Sequence, residues 1–441
     1  MDRVALRGVL TPPTVHIVGA GLAGLAAAIG LSDAVRAGSL RLRIYEATGH
    51  AGGRCRSYPD ARLGRVIDNG NHLILGANRP VFQFLEAIGA GGRLAPAAAD
   101  GIPFVDLCDG SQWRVKPGGG RLPTWLWRPA DRVAGTRPAD YLAAAWRLAR
   151  APCGATVAEV LQGETPLHRR LLRPLSVAIL NTEPAAASAR QFARSLLAIF
   201  AAPGGWRPFI AARGLSHALI EPAVMRLDEA GLCLETHRRL HGLERDPAGR
   251  VARLLFAGEA VEPGPRDRLI LALPPDAVAE LLPGVPVPAG SRAILNGHFL
   301  LPWRVPSPSV LGVIGGLTEW VFLREDVASL TVSAADGGIG RAAADLAVEL
   351  WSELRRALAL WRGCALPPAP PLWRIVKERR ATFLQSPANQ ARRPGTAAAG
   401  PGILLAGDWT ATGLPATLDG AIRSGRRAAH AALAELGRAA A

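Results

Sequence analysis

The sequence predicts an α/β fold in which a parallel sheet is assembled from separate parts of the chain. Residues 14–35 have the pattern of a short buried strand, a glycine turn and a helix, and residues 40–47 have that of a second strand. Together they form a βαβ unit. Two further apolar strands are expected at 267–275 and 402–408, with a helix from Leu418. Each piece suits part of one nucleotide-binding α/β domain, although the pieces lie far apart in the sequence.

Composition places the chain among ordinary globular proteins. Its 441 residues allow two or three domains, and 49% hydrophobic with 20% charged residues argue against disorder. The net charge of +15 comes almost wholly from arginine, which either attracts an anionic membrane or reflects arginines spread over the surface. Five scattered cysteines without a CxxC pair predict reduced thiols and no metal site.

The sequence shows no signal peptide and no apolar run of about 18 residues. We therefore expect a cytoplasmic protein, at most peripheral on the inner membrane of a bacterium. We expect no nucleic-acid partner, because the arginine clusters are short.

The turn of the βαβ unit has the sequence GxGxxG. Gly19 permits the tight turn, Gly21 lets the backbone approach a pyrophosphate, and Gly24 lets helix and strand pack closely. The pyrophosphate would face the helix N-terminus around Ala23, where free N–H groups and the helix dipole favour an anion. Glu46 ends the second strand, 22 residues after Gly24, where a carboxylate can accept hydrogen bonds from ribose hydroxyls. The pattern predicts a dinucleotide site.

A second glycine pair follows Glu46. Gly52 and Gly53 permit another close backbone approach, and Arg54 beside a pyrophosphate would compensate its charge. A strand-end Glu followed by GGR resembles the large flavoprotein group that contains amine oxidases and carotenoid desaturases. This resemblance implies that the cofactor is FAD rather than NAD. It also implies a Rossmann-like FAD-binding domain of the amine oxidase type.

The chain is expected to form two discontinuous domains. The FAD-binding domain would take residues 12–90, 210–290 and 385–441. A mixed α+β substrate-binding domain would take residues 91–209 and 291–384, where helical apolar patterns and further strands occur.

The C-terminal strand matches a second feature of that flavoprotein group. There a late strand ends in Gly-Asp or Gly-Glu, and the acid binds the ribityl chain or the pyrophosphate region of FAD; Gly407 and Asp408 match it here. The resemblance implies that the helix beginning near Thr417 points its N-terminus at the flavin pyrimidine, where a positive dipole end stabilises reduced anionic flavin. Leu240 lies in an antiparallel meander expected over 231–258, and the resemblance implies that the backbone of its strand contacts adenine.

Four longer stretches are similar to the hydroxysqualene dehydroxylase family, also described as squalene-associated FAD-dependent desaturases: residues 67–89, 174–200, 377–387 and 406–425. The resemblance covers most of the chain, and Asp-Asn-Gly-Asn-His and Gly-Asp-Trp-Thr are its more specific blocks. It implies reductive removal of the allylic hydroxyl of hydroxysqualene, in a bacterial route to squalene and often hopanoids. Three residues of the first block are expected beside the flavin: Asn69, Gly70 and Asn71.

Such a reaction needs acid assistance to the departing hydroxide and a dry apolar cavity. His72 is the leading candidate for the acid, because it lies in the polar block expected near the flavin and imidazole titrates near neutral pH. Asp68 is a second candidate. Structural alternatives stay open, since His72 would equally order a loop or contact the cofactor and Asp68 would hold a turn. The sequence contains no second GxGxxG, so an external electron donor of unknown identity is expected.

Two other functions stay open. A carotenoid-type polyisoprenoid desaturase would use the same cofactor motifs, which do not set the direction of hydride transfer. A non-catalytic prenyl-lipid carrier would belong to a different class, but it has no need of GxGxxG, Glu46, GGR and Gly-Asp together. An amine oxidase is disfavoured, because 5% aromatic residues with three tyrosines offer little for an aromatic cage around an amine.

Overall fold

The computed structural model describes residues 11–118 and 123–440, and within these ranges it has twenty strands and eleven α-helices. The strands are β1 (Thr14–Val18), β2 (Arg41–Tyr45), β3 (Ser57–Asp60), β4 (Arg65–Asp68), β5 (Ile74–Leu75), β6 (Ala95–Pro96), β7 (Ile102–Asp106), β8 (Gln112–Val115), β9 (Pro208–Ile210), β10 (Leu234–Glu235), β11 (Leu240–Arg245), β12 (Val251–Phe256), β13 (Glu259–Val261), β14 (Arg268–Leu271), β15 (Ser291–Leu300), β16 (Ser309–Ile314), β17 (Trp320–Arg324), β18 (Val327–Val332), β19 (Trp373–Phe383) and β20 (Ile403–Leu405).

The α-helices are α1 (Leu22–Arg36), α2 (Arg79–Ala87), α3 (Pro138–Ala149), α4 (Val157–Val160), α5 (Arg173–Leu180), α6 (Ala189–Ala201), α7 (Glu221–Asp228), α8 (Pro275–Leu281), α9 (Ala343–Arg362), α10 (Pro387–Ala391) and α11 (Leu418–Ala440). A 3₁₀-helical turn at Thr124–Trp127 precedes α3. No helix in the described parts of the chain is long and apolar enough to cross a membrane.

The first sheet is parallel and has the strand order β10-β2-β1-β14-β20. Ile17 of β1 lies between Ile44 of β2 and Ile270 of β14, and all three side chains are buried. Helices α1 and α11 pack on one face, while the antiparallel sheet β11-β12-β13 packs on the other. Because both faces are covered, β14 and β20 are almost entirely apolar, whereas β2 alternates arginine with apolar residues.

Helix α11 packs against α1 at unusually small residues. A Cβ placed on Gly425 would lie 2.0 Å from the carbonyl oxygen of Ala23, and one on Gly30 would lie 3.0 Å from the Cβ of Ala429. Only glycine permits such an approach of two helix backbones. The contact fixes the C-terminal helix beside the first glycine turn.

The second sheet has seven strands in the order β19-β15-β18-β17-β16-β7-β8 and is antiparallel except between β16 and β7. Helix α9 covers one face, with Trp351 packed against Phe299. The other face packs against a helical layer that contains the 3₁₀ turn and α3–α6, with Phe104, Trp320 and Phe192 in its core. This layer separates the sheet from solvent.

The sequence prediction for residues 231–258 is corrected at one strand. Strands β11 and β12 do form an antiparallel pair, but β10 joins β2 in parallel at the edge of the first sheet. The backbone N–H of Glu46 continues this pairing by donating to the carbonyl of Glu235 at 2.9 Å.

The two-domain division stays a prediction. The strands of the five-stranded sheet fall in residues 12–90, 210–290 and 385–441, and those of the seven-stranded sheet fall in 91–209 and 291–384. The small sheet β5-β9-β6 takes strands from both sides of the expected boundaries.

Candidate functional site

The first glycine turn forms a cradle at the carboxyl end of β1. Gly19 has a φ of +101°, and a Cβ there would lie 2.5 Å from the carbonyl oxygen of Ala272. A Cβ on Gly24 would lie 1.9 Å from the carbonyl oxygen of Gly19. A Cβ on Gly21 would meet nothing within 4 Å, so this residue borders open space. Gly21 is also the N-cap of α1, so this space lies at the helix end where the first N–H groups, including that of Ala23, have no intrahelical partner.

Glu46 joins this turn to the end of β2. Its Oε2 accepts a hydrogen bond from the N–H of Ala20 at 2.9 Å, and its Oε1 accepts from the N–H and Oγ1 of Thr48, both at 2.9 Å. The residue is 8% exposed. A carboxylate has about four lone-pair positions, so acceptor capacity remains for a hydroxyl group.

The second glycine pair lies directly beside the first turn. Gly52 bridges in parallel to Gly21, and its N–H donates to the carbonyl of Ala20 at 2.9 Å. Gly52 and Gly53 have φ values of +109° and +57°, which favour glycine. A Cβ on Gly53 would lie 3.4 Å from the Cα of Gly21. Two glycine turns therefore border the same open space.

Arg54 and Asp408 form an ion pair across 354 residues of sequence. Nη2 of Arg54 donates to Oδ1 of Asp408 at 2.7 Å, and the arginine also contacts the carbonyl of Ala381. The Asp408 carboxylate raises the pKa of Arg54 above its ordinary value. The Arg54 side chain is 43% exposed and that of Asp408 is 9% exposed. The pair therefore presents a cation beside the glycine turns while it buries the acid.

The start of α11 lies next to Asp408. The N–H of Gly407 donates to Oγ of Ser424 at 2.8 Å, which fixes the end of β20 against the helix. Thr417 directly precedes α11, and its Oγ1 accepts from the N–H of Gly420 at 3.4 Å. The structure thus brings the N-termini of α1 and α11 to the same edge of the parallel sheet, where the helix dipoles favour negative charge.

The polar loop after β4 is bound to the second sheet. Nδ2 of Asn71 donates to Oδ1 of Asn296 at 3.1 Å and to Oγ1 of Thr331 at 3.0 Å. Nδ2 of Asn69 donates to Glu378 at 3.1 Å. A Cβ on Gly70 would lie 3.9 Å from Nδ2 of Asn296. The loop therefore lies between the two sheets, where its asparagine side chains are used in protein contacts.

His72 follows this loop and is partly buried. Burial lowers the pKa of its imidazole below the ordinary value; the Asp68 carboxylate opposes this, and the Arg54 cation adds to it. Burial therefore disfavours the protonated form of the ring relative to an ordinary histidine. Its side chain makes no hydrogen bond to another described residue, which leaves both ring nitrogens available.

Asp68 is 3% exposed and both of its carboxylate oxygens have partners. Oδ1 accepts from Oγ of Ser57 at 2.6 Å and from the N–H of Leu215 at 2.8 Å. Oδ2 pairs with Nη1 of Arg324 at 2.8 Å, in an ion pair whose two side chains are nearly inaccessible to solvent. Protonation of Asp68 would remove the negative charge that compensates the buried Arg324, so the pair disfavours a proton on Asp68.

Leu240 lies near Glu46 but is itself part of the core. The residue starts β11 and packs with Tyr45 and Phe256 between the parallel sheet and the antiparallel sheet β11-β12-β13. Two residues earlier, the N–H of Arg238 donates to the carbonyl of Glu46 at 2.8 Å. The backbone leading into β11 therefore runs beside the end of β2.

Sequence reasoning missed the polar residues of the second sheet. Asn296 pairs with Thr331 and His298 pairs with Ser329 on adjacent strands, and all four are buried. Burial lowers the pKa of His298 to about 4. The sequence does carry a sign of these residues, because on each strand the two polar side chains are two positions apart and therefore share one face of the sheet. Arg324 gave no such signal, because a single arginine at a strand end is ordinary.

Glu319 was also missed. Burial raises its pKa to about 7, although its Oε2 accepts a hydrogen bond from the N–H of Ser333 at 2.9 Å. Its own N–H donates to the carbonyl of Thr331 at 3.1 Å. Burial therefore favours the protonated form of this carboxyl group.

The chain resembles known flavoproteins in sequence. A family model described as flavin containing amine oxidoreductase matches residues 22–106 and 319–433. The hydroxysqualene dehydroxylase of Rhodopseudomonas palustris is 43% identical over 425 residues, which cover 96% of this chain and 98% of the relative. That of Sinorhizobium fredii is 41% identical over 425 residues (96% and 99%), and that of Zymomonas mobilis is 37% identical over 420 residues (95% and 98%).

Solved structures share the fold at lower identity. Putrescine oxidase bound to putrescine superposes with a TM-score of 0.68 at 16% identity, covering 96% of this chain and 99% of the other. Cyclohexylamine oxidase from Brevibacterium oxydans superposes with a TM-score of 0.63 at 17% identity, covering 97% and 100%. Fold and site together define a flavin-dependent oxidoreductase with the amine oxidase type of fold. Within this class, the chain belongs to the hydroxysqualene dehydroxylase family.

Proposed function

We propose that this protein catalyses the FAD-dependent reductive dehydroxylation of hydroxysqualene to squalene, in a pathway to squalene and hopanoids. The observation that carries the proposal is the 37–43% identity, over at least 95% of the chain, to three proteins that bear this activity in their names. Bound FAD in its reduced form supplies the electrons and the hydrogen that replace the hydroxyl group. The roles below are assigned to residues of this chain.

The two glycine turns are proposed to hold the pyrophosphate of FAD. The space beside Gly21 and Gly53 is bordered by backbone rather than by side chains, and free N–H groups at the start of α1 point toward it. Glu46 retains acceptor capacity for ribose hydroxyls. Leu240 would mark the backbone that meets the adenine.

The ion pair and the second helix start are proposed to hold the other half of the cofactor. Asp408 would accept from the ribityl chain while Arg54 neutralises phosphate charge, because each group keeps unused hydrogen-bonding positions in the pair. The N-terminus of α11, after Thr417, would stabilise negative charge on the flavin pyrimidine. The loop formed by Asn69, Gly70 and Asn71 would position the seven-stranded sheet beside the flavin ring.

His72 is proposed to donate the proton that accompanies departure of the hydroxide. Its ring is free of protein partners, and its lowered pKa makes the protonated form a stronger acid than an ordinary histidine. Asp68 is proposed as a positioning residue, because its oxygens are occupied and its negative charge favours protonation of His72. Turnover should therefore fall as the pH rises.

The helical layer is proposed to supply the water-free surroundings that the reaction needs. Leu73, the neighbour of His72, packs against the apolar cluster that contains Trp125, Phe192 and Trp320. Water would recapture an allylic cation, so a dry cavity protects the product. The same surroundings suit a polyisoprenoid chain.

We propose that the protein works in the cytoplasm and associates peripherally with the anionic inner membrane. The net charge of +15 and the apolar substrate support this location. Electrons for FAD would come from a separate donor, since the sequence has a single GxGxxG turn.

Anaerobic single turnover tests the proposed reaction. The reduced, FAD-loaded protein is mixed with hydroxysqualene, and both squalene formation and flavin reoxidation are followed. Stoichiometric squalene with reoxidation is expected. Bound FAD without turnover would favour the opposite direction, a desaturase that acts on another polyisoprenoid. A protein that is purified and reconstituted without binding flavin would favour the lipid carrier.

A further inference from the structure

The helical layer carries an apolar surface on its solvent side. Trp127 is 63% exposed, Leu142 53%, Trp146 58% and Leu197 68%. These four residues, called here the tryptophan face, come from the 3₁₀ turn, α3 and α6, which contact one another. The other large apolar side chains that are exposed among the described residues are scattered singly over other elements: Val66, Met225, Val348 and Leu372.

The tryptophan face has a rigid base. On its inner side, Trp125 packs edge-on against Tyr141 of α3 with ring centroids 5.5 Å apart, and it stacks against Phe200 of α6 at 6.2 Å. Helix α3 therefore has two apolar sides. Tyr141, Ala144 and Leu148 point to the core, whereas Leu142 and Trp146, four residues apart, share the solvent side. An ordinary surface helix would be polar there.

Arginines surround the apolar residues. Five exposed arginines lie on the same three elements or directly after them: Arg128, Arg147, Arg150, Arg190 and Arg194. The guanidinium of Arg150 lies over the ring of Trp146, 4.5 Å from its centroid. Residues 124–201 contain ten arginines and no lysine, against five acidic residues. The surface thus combines tryptophan, leucine and positive charge.

We propose that the tryptophan face is the surface through which this protein docks on an anionic lipid bilayer. Tryptophan and arginine on an otherwise apolar helix side suit the boundary between headgroups and acyl chains. A second copy of the chain would bring the five exposed arginines of each copy together, whereas anionic headgroups would neutralise them, so the charge favours anionic lipid. This inference deepens the membrane association proposed above and rests on it.

The position of the face also suits delivery of an apolar substrate. The cluster beneath it, which includes Trp125 and Phe200, extends to Leu73 beside His72. One apolar cluster therefore connects the base of the tryptophan face with the neighbour of His72. A polyisoprenoid would pass from the bilayer into protein without crossing water.

Vesicle sedimentation tests the surface with the FAD-loaded, full-length protein. The variant is Trp127→Ser/Trp146→Ser, and the matched control is Met225→Ser/Val348→Ser, which removes two equally exposed apolar side chains from α7 and α9. With vesicles of phosphatidylglycerol and phosphatidylcholine, we expect the variant to bind at least about tenfold more weakly than the wild type, and the control to bind like the wild type. Added salt should weaken the binding of the wild type.

Equal binding of variant and wild type would overturn the proposal, as would a wild type that ignores anionic vesicles. Conversion of a wild-type dimer into a monomer by the variant would assign the face to a second copy instead. Squalene formation from detergent-dissolved hydroxysqualene should be unchanged in the variant. That readout separates the two proposals, because a failed reaction with normal vesicle binding contradicts only the function.

Discussion

The substitution Gly21→Ala should weaken FAD binding without lowering the stability of the fold. A Cβ at this position would meet nothing within 4 Å, and its φ of −68° with ψ of 177° suits alanine. The apo-protein should therefore keep its stability or gain about 0.4–1 kcal/mol from a restricted unfolded chain. The same methyl group would stand where the pyrophosphate approaches the backbone. Loss of one charge-assisted hydrogen bond, about 1.5–3 kcal/mol, weakens FAD binding roughly 10- to 100-fold.

Two measurements are compared for this variant: thermal unfolding of the apo-protein and titration with FAD by flavin fluorescence. Gly337→Ala is the neutral control, because a Cβ there also meets nothing within 4 Å and the residue is far from the turn in sequence. Gly24→Ala is the steric control and should unfold at lower temperature, since its Cβ would lie 1.9 Å from a carbonyl oxygen. An unchanged FAD affinity in Gly21→Ala would refute the assignment of this space to the cofactor.

Three further predictions concern charged groups. Asp408→Asn should lower FAD affinity about tenfold or more, while Asp326→Asn, which breaks a similar ion pair elsewhere, should not; equal affinities would contradict the role of Asp408. His72→Ala should slow squalene formation about 100- to 10,000-fold with FAD occupancy retained, and unchanged turnover would exclude it as the acid. Burial raises the pKa of Glu319 to about 7, so the folded chain keeps a proton that the unfolded chain releases near pH 4.3. The free energy of unfolding should therefore fall by about 3 kcal/mol as the pH rises between these values, and Glu319→Gln should remove that fall in denaturant titrations; the same pH dependence in both proteins would contradict the raised pKa of Glu319.

The parallel sheet and the first glycine turn were predictable because their determinants are local. The strand, the turn and the helix that use Gly19, Gly21 and Gly24 lie within one βαβ unit, and Glu46 follows at a spacing fixed by the length of α1. The misassignment of β10 has the opposite cause. Two residues carry no periodicity of their own, so their pairing depends on the distant end of β2.

The rest of the candidate site depends on contacts between distant segments. Arg54 and Asp408 were each expected near the cofactor, but their ion pair joins residues 354 positions apart. Asp68 was considered as an acid because the sequence shows a carboxylate and not its partner Arg324. A short motif reports which groups are present, whereas the protonation and orientation of those groups are set by neighbours that the fold supplies.

The contact between Gly425 and Ala23 has a consequence for biosynthesis. Helix α1 and strand β1 emerge early from the ribosome, yet the sheet also needs β20 and α11, which are translated roughly 380–400 residues later. Until then α1 lacks the partner that covers its glycine- and alanine-rich side. Such long sequence separation slows folding and leaves apolar surface exposed in the meantime. We therefore expect the nascent N-terminal part to expose the apolar side of α1 until α11 has been synthesised.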